Sequence, residues 1–378
     1  MTDHILVVDD EPDLKHFIEL VFKRKIRKNE YRFSFALNGV QALEVLAENP
    51  DISLVMTDIN MPEMDGITLL KKLRDLEMII KPVIISAYGD LANIRKAMNH
   101  GAFDFLTKPI NLKDLEITVT KTLDEVNLLK QALVDREQVI AIERELDIAH
   151  RLQLSMMPDL PRKFGPYLLE GQMQLSAKVG GDFWDLIQLN ENEALFVLGD
   201  SAGHGLPSAL VMSAIRHSLR ALATQINDYH EFIEPLNNII HREFRAQARY
   251  ATMIFVHLVN GSSKVRYLRA GHELPVHRQN GGFGPEDWRG GLPLGLLPIR
   301  GEDEWVELTL QPGDDLYMYT DGIIDGLPDK MPGIRPILDS LHEQQHLIGN
   351  EKFFDFLGDT YQWRNFDDAT LLALRYRP

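Results

Sequence analysis

The stretch Ile5-Leu6-Val7-Val8-Asp9-Asp10 places four apolar residues directly before two carboxylates. So short a run, stopped by acid, reads as a buried parallel strand with the two aspartates at its C-terminal end. Working outward, Ser53–Thr57 ends at Asp58, and the run from Pro82 closes on Ser86. The segments between these strands, Asp13–Lys25, Gly39–Glu48 and Asp65–Asp75, carry apolar residues at helical spacing. Strand and helix in alternation predict a doubly wound α/β domain, whose sites form beyond the C-terminal strand ends. Asp9, Asp10, Asp58, Ser86 and Lys108 all fall there.

Two adjacent carboxylates and a third from another strand can hold one Mg²⁺, a hard cation that prefers oxygen ligands. Asp58 is then the nucleophile toward a phosphoryl group, with Lys108 and the Ser86 hydroxyl in reach of its oxygens. Asp9-Asp10, Asp58, the loop from Met61 to Gly66, Ser86-Ala87 and Lys108-Pro109 together resemble the signature of a bacterial response-regulator receiver domain over residues 3–122. The resemblance implies a five-stranded parallel sheet with Asp58 as phosphoacceptor. It implies Mg²⁺ on Asp10, Asp58 and the Asn60 carbonyl, supported by Asp9. It further implies switch positions at Ser86 and Phe105, a contact from Lys108, and a cis bond before Pro109. Phe105 has no hydroxyl, so a switch there works through burial of its ring.

Residues 111–157 contain neither glycine nor proline. Val126, Leu129, Leu133 and Ile140 follow a three-four spacing, and Val139, Ile142, Leu146, Ala149 and Met156 continue it one position out of phase. This predicts a long helix, either half of a parallel coiled coil in a homodimer or a single helix packed on a neighbouring domain. Pro158 and Pro161 end it.

Beyond about residue 165 the pattern changes. Strand-like runs occur at Ala194–Leu198, Thr252–Val259, Val265–Ala270, Glu307–Leu310, Leu316–Tyr319 and Thr370–Tyr376, with helices at Leu206–Leu222 and Phe232–Arg245. Gln279–Gly295, rich in glycine and proline, reads as a surface loop. The texture is that of an α+β layered domain. Asp182, Asp200, Asp321 and Asp368 each border an apolar run, and glycines flank several of them. Four carboxylates without histidine or cysteine suit Mg²⁺ or Mn²⁺ rather than Zn²⁺. Spacing alone does not make them one site, since Asp-Gly is a common turn dipeptide.

Residues from about 143 to 376 resemble the metal-dependent serine/threonine protein phosphatases, in the bacterial branch that controls sporulation and stress sigma factors. The matching segments are Gly181-Asp182-Phe183, Asp200-Ser201, Asp321-Gly322 and Asp367-Asp368, behind a helical lead-in from Glu145 to Pro158. Ala270-Gly271-His272 and Gly291–Gly295 match two further motifs. The resemblance implies a central β-sandwich flanked by helices. It also implies two Mn²⁺ or Mg²⁺ ions held by Asp182, Asp200, Asp321, Asp368 and the Ser201 carbonyl, with Asp200 bridging. His204 is a proton-transfer candidate, or a residue that caps the following helix. His272 is a candidate for acid/base work or substrate placement.

The resulting expectation is a receiver at 1–122, a helical linker at 123–157 and a phosphatase domain at 158–378. Phosphorylation of Asp58 by a separate sensor histidine kinase would control dephosphorylation of an anti-sigma-factor antagonist. The alternative is a non-catalytic adaptor that binds a regulatory partner. The net charge of −16 argues against nucleic-acid binding, and no apolar run is long enough for a membrane helix. The absence of cysteine and of a secretory-type leader fits a cytoplasmic protein.

Overall fold

In the computed structural model the central strands of the first unit are buried on both faces. The structure describes residues 2–76, 78–87, 89–225, 231–279, 282–285, 287, 289–299, 304–328, 333–343 and 353–378. It forms two compact units, 1–142 and 143–378.

The first unit runs β1 (Asp3–Val8), α1 (Pro12–Val21), α2 (Lys23–Arg27), β2 (Tyr31–Ala36), α3 (Gly39–Glu48) and β3 (Ile52–Asp58). It continues with α4 (Gly66–Leu73), β4 (Lys81–Ala87), α5 (Leu91–Asn99) and β5 (Asp104–Lys108), and then the start of α6 (Leu112–Met156). The sheet is parallel throughout, in the order β2-β1-β3-β4-β5. Ile5 and Val7 face a core shared with Ile18, Leu115 and Val119, while Leu6 and Val8 face Ala42, Leu46 and Leu69. Burial on both faces is why these strands read as continuous apolar runs. The single helix expected over Asp13–Lys25 is two. The chain bends at Phe22, whose ring packs 5.4 Å from Phe33 and 5.6 Å from Tyr31.

The second unit takes the last turns of α6. Then come β6 (Arg162–Phe164), β7 (Tyr167–Gln174), β8 (Phe183–Gln188), β9 (Glu193–Ser201), α7 (Gly205–Ala223) and α8 (Ile233–Phe244). After these follow β10 (Ala251–Val259), β11 (Lys264–Ala270), β12 (Val276–Gln279), β13 (Gly282–Phe283), β14 (Val306–Thr309) and β15 (Asp315–Tyr319). The chain closes with α9 (Gly322–Asp325), α10 (Arg335–Glu343), α11 (Phe353–Tyr361) and β16 (Ala369–Tyr376).

Two sheets, ordered β14-β11-β10-β9-β8 and β13-β12-β15-β16-β7-β6, make a sandwich. Phe196, Leu198, Ile254, Val256, Leu316 and Leu372 fill the space between them. On the outside of the five-stranded sheet, Met212 and Ile215 of α7 and Leu236 and Ile240 of α8 cover Val197 and Phe255. On the outside of the six-stranded sheet, Ile337 and Leu338 of α10 and Phe353 and Leu357 of α11 cover Tyr317 and Ala373.

Strands β6 to β8 and helices α10 and α11 were not legible in the sequence. β7, for example, mixes glutamines and a glycine into a half-buried pattern. The expected loop Gln279–Gly295 holds only the short β13, and residues 280, 281, 286 and 288 of it lie outside the described ones. No helix among the described residues is long and apolar enough to cross a membrane.

Two candidate carboxylate sites

At the C-terminal edge of the parallel sheet, oxygens of Asp9, Asp10 and Asp58 lie within 4.8 Å of one another. Asp9 and Asp58 are buried and Asp10 is exposed. Lys108 Nζ lies 2.5 Å from Asp58 Oδ2, 3.0 Å from Asp9 Oδ2 and 3.1 Å from Glu11 Oε1. Burial disfavours the charged ammonium, but its hydrogen bonds to Asp58, Asp9 and Glu11 outweigh this and raise its pKa. Burial raises the pKa of Asp9, against hydrogen bonds from the Glu11 amide and Lys108. Three carboxylates facing a single ammonium leave room for a divalent cation, which this donor set fits.

The surrounding loop holds this geometry. Asn60 N donates to Asp58 Oδ1 at 3.1 Å, so the Asn60 backbone lies against the phosphoacceptor candidate. Asp65 caps α4 by accepting from Thr68 N at 2.6 Å, and a side chain at Gly66 would overlap the Asp58 carbonyl. The Ser86 hydroxyl is buried with no hydrogen-bond partner among the described residues, and Phe105 is 41% exposed. The Lys108–Pro109 peptide bond is cis.

In the second unit the carboxylates converge on one end of the sandwich. Asp182, fully buried ahead of β8, accepts from Thr320 Oγ1 at 2.8 Å and Thr370 Oγ1 at 2.5 Å, both through Oδ2. Its Oδ1 is buried with no donor among the described residues. Burial raises the pKa of Asp182 and then Asp200 does so further, while burial followed by Asp321, Asp367 and Asp368 raises that of Asp200. Asp321 is raised by burial and by Asp325 and Asp367. An orphan carboxylate oxygen amid like charge, with no Lys or Arg ion pair to the set among the described residues, fits bound cations. These oxygens do not close into one group within 4.8 Å as the receiver set does.

Close backbone approach explains the glycines. Asp368 Oδ2 accepts from Gly181 N at 2.7 Å and Oδ1 from Ser176 N at 2.8 Å. A side chain at Gly180 would overlap the Asp368 carboxylate, and one at Gly181 would lie 2.7 Å from the Ser201 carbonyl oxygen.

His204 is exposed, and although it holds the N-cap position of α7 its side chain makes no capping bond. His272 is buried, with Nδ1 2.9 Å from Thr252 Oγ1. Burial and then Arg269 lower its pKa to about 3, which keeps the ring neutral near pH 7. A neutral ring suits positioning better than proton donation.

Several contributors went unseen in the sequence. Thr320, Thr370 and Ser176 hold the carboxylates, and Asp367 adds to the negative field. Gln153, in the last turns of α6, bonds both backbone groups of Gly180. It sits on the apolar stripe between Ala149 and Met156, and a polar residue there was the available signal. Arg216 of α7 donates to the Met156 carbonyl and lies 3.0 Å from the buried Asp185, which Arg220 also grips with two bonds of 2.6 Å.

A parallel five-stranded domain with an acid–lysine site, ahead of a β-sandwich with clustered carboxylates, is a receiver-type domain linked to a phosphatase-like domain. Residues 5–120 match the response regulator receiver domain family, and residues 190–377 match the Stage II sporulation protein E (SpoIIE) family. Sporulation initiation phosphotransferase F of Bacillus subtilis (strain 168) is 35% identical over 124 residues, covering 32% of this chain and 95% of that protein. Transcriptional regulatory protein ZraR of Klebsiella oxytoca is 35% identical over 131 residues, 35% of this chain but only 28% of that protein. The solved SiaA-PP2C domain of Pseudomonas aeruginosa shares the fold of the second unit. It has 23% identity and a TM-score of 0.51, covering 62% of this chain and 97% of that one. The chain belongs to the response regulator receiver family and carries a SpoIIE-type PP2C phosphatase domain at its C-terminal end.

Proposed function

We propose that this protein is a response regulator in which phosphorylation of Asp58 controls a Mg²⁺- or Mn²⁺-dependent protein serine/threonine phosphatase. The observation that carries the catalytic half is the Asp182 carboxylate. One oxygen is fixed by two threonines, and the other is buried beside Asp200 without a donor among the described residues. Metal ions bound to Asp182, Asp200, Asp321, Asp368 and the Ser201 carbonyl would supply Lewis acidity and an activated water. Thr320, Thr370, Ser176 and the Gly181 amide hold these ligands, and the neutral His272 orients Thr252 beside them. The intact carboxylate set favours enzyme over adaptor.

In the receiver, an Asp58 oxygen takes the phosphoryl group, and Asp10, Asp58 and the Asn60 carbonyl, supported by Asp9, would hold a Mg²⁺ that offsets the phosphoryl charge. Lys108 and the unpartnered Ser86 hydroxyl are placed to bind the phosphoryl oxygens. Phe105 then exchanges its exposed position for a buried one. The phosphodonor is a separate sensor histidine kinase in the cytoplasm. The substrate is a phosphoserine or phosphothreonine on an anti-sigma-factor antagonist, a choice that rests on the family resemblance. α6, which belongs to both units, carries the signal, and its exposed apolar stripe supports a homodimer.

The test is phosphate release from such a phosphoprotein with Mn²⁺, with and without a small phosphodonor. Asp200→Asn is expected to abolish turnover, and Asp58→Asn to abolish only the response to the donor. Equal background rates for wild type and Asp200→Asn would rule out the enzyme.

A further inference from the structure

We propose that Arg249 is the guanidinium that receives the substrate's phosphate, a specificity-determining contact at the rim of the second carboxylate site. This rests on the phosphatase reading of that site. The ladder between β9 and β10 brings Arg249 there. Asp200 pairs with Thr252 and Ser201 with Ala251, and Ala202 N then donates to Tyr250 O at 2.9 Å. The next residue back, Arg249, therefore meets Gly203.

Its Nη1 donates to the Ala202 carbonyl, one residue beyond Ser201, and the guanidinium lies across Gly203. A Cβ at Gly203 would overlap Nη1 and stand 3.1 Å from Cζ and 3.5 Å from Nη2. Gly203, at φ +95°, thus supplies both the turn and the open face on which the guanidinium rests.

Several other arginines of this unit are matched to acid. Arg216 and Arg220 hold Asp185, Arg375 holds Glu170, and Arg377 holds Asp315. Arg249 has no ion pair among the described residues, although the Asp200–Ser201 segment beside it opens onto clustered carboxylates. One N–H on a carbonyl fixes the planar fork and leaves further donors for a second acceptor. A phosphomonoester dianion at bound cations keeps oxygens free for a further donor, and a half-buried guanidinium offers one in the geometry that phosphate oxygens favour.

The experiment uses the full chain with Mn²⁺. It measures calorimetric binding of inorganic phosphate, together with hydrolysis of p-nitrophenyl phosphate, for wild type, Arg249→Ala, Arg249→Gln and Arg249→Lys. Phosphate binding by the alanine and glutamine variants is expected to weaken about tenfold or more, with lysine intermediate. KM is expected to rise in parallel while kcat stays within about twofold. Wild-type phosphate affinity in the neutral variants overturns the assignment, as does a loss of kcat and Mn²⁺ affinity at constant KM, the mark of a loop staple. If Arg249→Ala does not fold, the glutamine variant decides, with its melting temperature as control. A wild type that does not bind phosphate also overturns it. A wild type that binds phosphate through Arg249 yet hydrolyses neither the aryl ester nor a phosphoprotein leaves the assignment standing and removes the phosphatase reading.

Discussion

Gln153 and Gly180 exchange two hydrogen bonds: Gln153 Nε2 donates to Gly180 O at 2.7 Å, and Gly180 N donates to Gln153 Oε1 at 3.2 Å. Gly180 is followed by Gly181, whose amide holds Asp368, and then by Asp182. The last turns of α6 are thereby bonded to the backbone that shapes the second site.

Replacing Gln153 with alanine leaves two buried backbone groups of Gly180 without partners, at about 1–3 kcal/mol each. The expected outcome is a lower melting temperature and a weaker Mn²⁺ half-saturation, with the fold retained by circular dichroism. Gln153→Glu keeps the acceptor and is expected to fall between. Unchanged Mn²⁺ dependence in Gln153→Ala would show that the glutamine is a packing residue only.

Gly180→Ala drives a Cβ into the Asp368 carboxylate. Since Asp368 is already held by Ser176 and Gly181, the carboxylate cannot yield without losing those bonds. Calorimetry with Mn²⁺ is expected to show at least one binding event weakened or lost. Gly358→Ala, where the same Cβ meets nothing within 4 Å, serves as the control. Identical metal titrations for the two variants would contradict the close approach.

His4 gives the receiver a pH dependence. Its Nδ1 lies 2.7 Å from Arg32 Nη2 and 3.2 Å from Asp51 Oδ1, and its Nε2 lies 2.8 Å from Ser34 Oγ. Arg32 can only donate, so Nδ1 accepts and the ring is neutral. Burial lowers the pKa from 6.5 despite Asp51, and Arg32 lowers it further. The unfolded chain therefore takes up the proton first as pH falls. The stability contributed by His4 is complete above about pH 6.5 and is lost as pH drops toward the folded-state value. Denaturant midpoints for residues 1–142 in the intact chain are expected to fall more steeply between about pH 7.5 and about 5.5 for wild type than for His4→Gln. Parallel slopes would remove His4 from the acid response.

The middle of α6 exposes Leu133, Val139, Ile140 and Ile142. A helix that leaves such residues in water is expected to bury them against a second copy. Sedimentation of the full chain at tens of micromolar should show a dimer, and Leu133→Lys with Ile140→Lys should return it to monomer. A wild type that stays monomeric would exclude the coiled coil.

The receiver was legible in the sequence because a parallel sheet announces itself locally. Its strands are unbroken apolar runs, and its site residues stand at their ends, so Asp9, Asp10, Asp58, Ser86 and Lys108 could be placed before any fold was seen. The second unit is antiparallel and its carboxylates come from four distant segments. Asp182 and Thr370 are 188 residues apart, and nothing local in either signals the 2.5 Å bond between them.

What the amino-acid sequence determined by itself was therefore the fold class and the placing of Asp9, Asp10, Asp58, Ser86 and Lys108 at strand ends, whereas the four later aspartates were singled out by family resemblance. Only the tertiary structure decided that Thr320 and Thr370 occupy one Asp182 oxygen and leave the other bare. It alone decided that Gln153 reaches Gly180 and that Arg249 meets Gly203. The physical reason is that these depend on long-range pairings, whose register is set by the packing of whole sheets and not by neighbours along the chain.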